Sequence, residues 1–99
     1  MARFVAYARR DGPGYLLDCQ SDLLRDLNTR FVVPLLARSE APIPAARLNP
    51  IFEIDGASYV MVTQFASTVR LRELGEAAES LAEREGEILN ALDMLISGF

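Results

Sequence analysis

Ninety-nine residues, 51% of them hydrophobic, suffice for one domain around one core. Fourteen acids against ten basic residues, every one an arginine, give a net charge of −4, the wrong balance for a protein that holds nucleic acid by neutralising phosphates. The absence of histidine and the single Cys19 exclude imidazole and paired-thiolate metal sites, Ser-His and Cys-His nucleophile pairs and an intrachain disulfide.

The N-terminus, Met1-Ala2-Arg3-Phe4, lacks a signal-like apolar region, and no run approaches the roughly 20 apolar residues of a membrane span. The six glycines do not fall into the spacing of a nucleotide-binding turn. The expectation is one soluble, cytoplasmic domain over residues 1–99, with no metal, no cofactor, no membrane and no sequence-specific nucleic acid.

Residues 3–8 and 15–20 each read as a strand. Between them, residues 9–14 turn at their Asp-Gly and Pro-Gly steps. In the second strand Tyr15, Leu17 and Cys19 share one face. Residues 21–28 form a polar loop or short helical turn presenting Leu23 and Leu24. A third strand covers residues 29–36, where Pro34 cannot donate to a ladder and so marks an edge or a bulge.

Residues 37–49, with Pro42 and Pro44, read as an irregular connection. The strongest local signal follows: residues 51–54 and 57–63 flank Asp55-Gly56, a two-residue turn that suits a hairpin. A short strand at residues 69–72 alternates apolar and basic residues. From Glu76 to about Ile96 helix formers dominate, with Gly75 as the expected cap. Leu81, Ile88, Leu92 and Leu95 then form one stripe, flanked by Leu89 and Ile96. The order predicts a mainly β domain, a small antiparallel barrel or sheet closed by one amphipathic C-terminal helix.

The last turn departs from simple amphipathicity. Met94 lies on the polar face, and Leu95, Ile96 and Phe99 make the ending apolar. Chain ends are usually solvated, so an oily one calls for a covering surface, its own sheet or another chain. Leu92 and Leu95 read as helix core or dimer seam. For Phe99 plug and contact both stand.

Asp18-Cys19-Gln20-Ser21-Asp22 followed by Leu23-Leu24, Arg30, then Val32-Val33-Pro34-Leu35, resembles the CcdB family in order and spacing. So do Pro50, the hairpin with Tyr59, Met61 and Thr63, Gly75, and Ile88, Asn90, Ala91 and Gly98 near the end. The resemblance implies an SH3-like barrel with a long C-terminal helix, assembled as a homodimer. It implies a non-enzymatic toxin of a toxin–antitoxin system whose paired C-termini wedge between the A subunits of DNA gyrase and trap it on cleaved DNA. The positions matching the family's gyrase contacts are Leu23, Leu24, Asp93, Ser97, Gly98 and Phe99. A CcdA-like antitoxin is implied as the neutralising partner, with contacts at Arg9, Arg10, Asp11, Tyr15, Arg38 and Arg47.

Ser97 stands where the family pattern has a Trp, Asp93 where it often has Asn, and Phe99 where it has an aliphatic residue. An aromatic ring over a guanidinium contributes about 0.5–2 kcal/mol, so Ser97 removes up to roughly a tenfold or somewhat larger share of affinity. Two other readings fit the residues. One is an endoribonuclease toxin of the MazF/Kid type, which can use Arg and Asp without His. The other is a non-toxic dimeric interaction protein that has lost gyrase binding.

Overall fold

A computed structural model describes residues 2–98. In chain order these residues form β1 (Val5–Arg9), β2 (Tyr15–Asp18), β3 (Thr29–Ala37), β4 (Ile51–Ile54), β5 (Ala57–Met61), β6 (Ser67–Arg70), β7 (Leu74–Ser80) and α1 (Glu85–Ser97), with short 3-10 turns between several of them. Every pairing is antiparallel, in the order β4-β5-β3-β2-β1-β7, with β6 attached to β3. The end strands β4 and β7 face each other across a cleft of about 460 Å³ lined by Ile51, Glu53, Glu79 and Ser80 among others. The sheet is thus a curled half-barrel, mainly β with one C-terminal helix, as the sequence predicts.

Alternation along the strands makes two faces. Ala6, Leu17, Val33 and Leu35 point into the main core, where Phe52, Ile54 and Met61 from the hairpin and Ile88, Ala91 and Leu92 from α1 complete the packing. Tyr7, Val32 and Leu74 form a smaller cluster on the other face, with Val5, Leu16 and Val69 against it. The hairpin turn is as expected: Asp55 and Gly56 have φ of 53° and 79°, and Ile51↔Val60 through Ile54↔Ala57 pair in continuous register.

Pro34 sits inside the sheet, not at its edge. β3 pairs along one flank with β2, and on the other with β6 up to Val32↔Ser67 and with β5 from Leu35↔Met61. Pro34 falls in the gap where the second flank changes partner, and its carbonyl accepts the Val62 N–H there at 3.0 Å. A residue's N and O point to the same side of a strand, so the missing donor faces this gap and removes no ladder bond.

The helix corrects the sequence reading. Residues 74–80 are a strand, and α1 starts only at Glu85. The helix formers there are drawn into pairing with β1, through Val5↔Ser80, Ala6↔Glu79, Tyr7↔Ala77 and Arg9↔Leu74. Ladder bonds to an otherwise open edge outweigh a propensity difference of a few tenths of a kcal/mol per residue. Gly75 is therefore no helix cap. It lies beside the irregular register of β1 and β7, where an added Cβ would stand 2.6 Å from the Ala8 carbonyl oxygen. The sixth strand is also earlier than expected, at Ser67–Arg70, with residues 71–73 in a 3-10 turn.

Candidate functional site

The connection from β2 to β3 carries Leu23 and Leu24 on a 3-10 turn, Asp22–Leu24. Ser21 caps it, its Oγ accepting the Leu23 N–H at 3.2 Å. Gln20 straddles the base of the loop: its Oε1 accepts the Phe31 N–H at 2.9 Å and its Nε2 donates to the Leu24 carbonyl at 3.0 Å. The Arg3 N–H donates to Asp22 Oδ1 at 3.2 Å. These polar ties hold the backbone while the leucines face outward, Leu23 93% and Leu24 50% exposed.

Beneath this loop lies a buried ion pair. Asp18 and Arg30 are almost fully enclosed, with Arg30 Nε 3.8 Å from Asp18 Oδ2. Asp18 Oδ1 accepts the Gln20 N–H at 3.0 Å, and Arg30 Nη2 donates to the Arg25 carbonyl at 2.8 Å. The pair thus grips both ends of the leucine loop. Burial pushes the Asp18 carboxyl above its usual range despite the opposing pull of the Gln20 N–H and the Arg30 charge. Among the described residues Asp18 Oδ2 and Arg30 Nε have no hydrogen-bond partner.

The second apolar feature is the end of α1. Leu92 is in the core, but Met94, Leu95 and Ile96 are exposed, Ile96 by 74%. Asp93, Ser97 and Gly98 are exposed as well. Gly98 adopts the left-handed conformation (φ 79°, ψ 17°), and its N–H donates to the Met94 carbonyl at 3.1 Å, ending the helix as a C-terminal glycine does. Phe99 lies outside the described residues.

The residues matched to antitoxin contacts separate into three places. Arg9, Arg10 and Asp11 line a groove of about 690 Å³ on the sheet face away from α1, with Leu16, Pro34 and Leu36 also in its wall. Tyr15 is on the opposite face, its ring edge-on to Tyr59 at 5.0 Å. Burial, then the neighbouring Tyr59, raises its phenol pKa. Arg38 is exposed just past β3, and Arg47 Nη2 donates to Asn90 Oδ1 on α1 at 2.8 Å. Exposed Ile43 and Phe65 (93% and 51%) were not singled out in the sequence. Ile43 stands between two prolines, which could have signalled a projecting side chain.

Chemistry of the nucleophilic kind finds no support in Cys19. Its thiol is buried and pushed up to about 12 by burial and by the adjacent Asp18. Among the described residues no three of the acidic and cysteine side chains gather as a metal site. What the geometry offers is surface: two apolar displays and one basic-rimmed groove.

The family model described as CcdB protein matches residues 3–98. Among solved structures, the chain is similar to the Mycobacterium tuberculosis toxin MazF-mt6, at TM-score 0.73 and 17% identity over 92% of this chain and 93% of that one. It is also similar to an endoribonuclease in complex with its cognate antitoxin from Mycobacterial species, at TM-score 0.75 and 17% identity over 95% and 92% of the two chains. At such identity these two likenesses speak to the fold.

Proposed function

The chain belongs to the CcdB family, and from that premise we propose that it is the toxin of a toxin–antitoxin pair, acting without catalysis by binding the A subunit of DNA gyrase and trapping it on cleaved DNA. The observation that carries this reading is the uncovered apolar surface at Leu23 and Leu24 and at the last turn of α1. A single protomer leaves these side chains in water on rigidly held backbone. Such surface is the mark of an interaction site.

In this reading two copies associate and present their helix ends together. Leu23 and Leu24 flank the wedge. Asp93 supplies a carboxylate for an arginine of the target, and Ser97 and Gly98 let the chain end approach another backbone closely. Phe99 completes the proposed contact set, and Leu95 lies at the seam. A CcdA-like antitoxin neutralises the toxin through Arg9, Arg10, Asp11, Tyr15, Arg38 and Arg47. These positions spread over both sheet faces and the connection after β3, which suits a partner that wraps rather than one that docks at a point.

One observation favours a second reading, cleavage of RNA: Arg9, Arg10 and Arg72 share one groove on a fold similar to that of an endoribonuclease. The groove's two acids are already engaged, Asp11 with Arg9 at 3.5 Å and Glu73 with the Arg70 N–H at 2.8 Å. That leaves a weak claim to a general base.

The test is purified gyrase with supercoiled plasmid and the toxin, with a structured RNA in a parallel tube. Accumulation of linear DNA on denaturing the complex, with intact RNA, is the expected result. Cut RNA and untouched plasmid would replace this reading with the second.

A further inference from the structure

The leucine loop is strung between two strands that are themselves firmly tied. Asp18 ends β2 and pairs in register with Val32, and Arg30 lies near the start of β3 opposite Val69. The Cys19 N–H donates to the Phe31 carbonyl at 3.0 Å and closes the base between them. At this base the chain encloses two charges, leaving Asp18 1% and Arg30 2% exposed.

Core stability does not account for the pair. Taking two charges out of water is costly, and their attraction offsets the cost only when the geometry is close and the remaining donors and acceptors are filled. Apolar residues of similar volume often serve as well or better. Here the facing atoms, Asp18 Oδ2 and Arg30 Nε, stand 3.8 Å apart, and among the described residues neither has a hydrogen-bond partner. At Asp18 the effect of burial prevails over the Arg30 charge.

The hydrogen bonds that the two side chains do make both go to the loop backbone, to the Gln20 N–H and to the Arg25 carbonyl. The two ties are not equivalent. The first half of the loop is also held through Ser21, Gln20 and Asp22. Over residues 25–28, among the described residues, Arg30 is the one side chain from outside the loop that donates to it. Losing the Arg30 tie therefore frees the segment just past Leu24, whereas losing the Asp18 tie leaves other anchors in place.

We propose that Asp18 and Arg30 are positioning residues for target binding: from two neighbouring strands they fix the two ends of the leucine loop, so that Leu23 and Leu24 meet the partner already ordered. A loop ordered beforehand spares the association the cost of ordering it. The inference rests on the gyrase reading for the identity of the partner, and the hold on the loop does not.

The test uses the full chain in three forms. Asp18→Asn keeps an acceptor for the Gln20 N–H and leaves the Arg30 tie in place, so it removes the charge pair and spares the loop. Asp18→Asn/Arg30→Met removes the charge pair and the Arg25 tie together. Amide hydrogen exchange needs no partner, and in the double variant Arg25 and Leu27 should exchange about tenfold faster or more, with Val33 and Leu35 reporting global stability. Calorimetric titration into purified gyrase A subunit should show the double variant binding about tenfold more weakly or worse, although its melting temperature recovers most of what Arg30→Met alone loses. Asp18→Asn should match the parent in loop exchange and in affinity. A double variant with the parent's loop exchange or the parent's affinity would overturn the proposal. So would a folded Asp18→Asn that loosens the loop or binds weakly, a result that stays decisive even where the double variant does not fold. Parent protein that fails to bind the A subunit would remove the gyrase reading, and the exchange measurement would still decide the hold on the loop.

Discussion

Leu23→Ser separates stability from function. Leu23 is 93% exposed and sits on a turn held by Ser21, Gln20 and Asp22, not by its own side chain. Its removal should change unfolding free energy by no more than about 0.5 kcal/mol, the usual range at surface positions. Nearly the whole side chain is available to be buried by a partner, and full burial of a leucine is worth about 1.5–3 kcal/mol. At about 1.4 kcal/mol per factor of ten, the variant should bind gyrase about 10- to 150-fold more weakly. The assays are a urea titration of the variant and the concentration of toxin needed to trap half of the plasmid as linear DNA. Unaltered trapping would refute the display of Leu23 as a contact. A fall of several degrees in melting temperature would refute the claim that the protomer leaves it unpacked.

Four further outcomes are expected. Gly75→Ala places a methyl against the Ala8 backbone and should cost about 1–3 kcal/mol, lowering the melting temperature by roughly 4–8 °C per kcal/mol; Gly12→Ala, with nothing within 4 Å of the new Cβ, should melt as the parent does. Arg30→Met strands a buried carboxylate and should cost about 3–5 kcal/mol in denaturant melts, much of it recovered in Asp18→Asn/Arg30→Met. Because Asp18 in the folded chain holds its proton above the usual carboxylate pKa, its contribution is fully present below about pH 4 and is lost as pH rises through the raised value. The stability of the parent relative to Asp18→Asn should therefore fall across that window, and a flat or rising difference would contradict the burial argument. Deleting residues 97–99 should abolish growth arrest in a gyrase-sensitive bacterium with little change in melting temperature, and a truncated protein that still kills would remove the wedge.

What could be read from the sequence was local. Asp55-Gly56 between two apolar runs specified its own hairpin, because the turn chemistry and the strand alternation agree within a dozen residues. Leu23 and Leu24 were placed on a short turn by the polar residues around them. The helix start was misplaced because residues 76–80 are good helix formers whose fate is set by β1, some seventy positions away. One signal was present: Ser80 is followed three residues on by Glu83, the pattern of a helix entry, and Ser80 Oγ does accept the Ala82 N–H at 3.3 Å. The arginine-rimmed groove and the Asp18–Arg30 pair were beyond reach for a different reason. Each is assembled by strand register from segments that carry no mark of one another.

β3 has a consequence for how the protein can vary. Flanked on both sides along most of its length, it begins where the leucine loop ends and supplies Pro34 and Leu36 to the groove. It is a keel shared by the leucine loop and the groove. A change in the keel is felt at both surfaces, and under the proposed function it ties the evolution of target recognition to that of neutralisation.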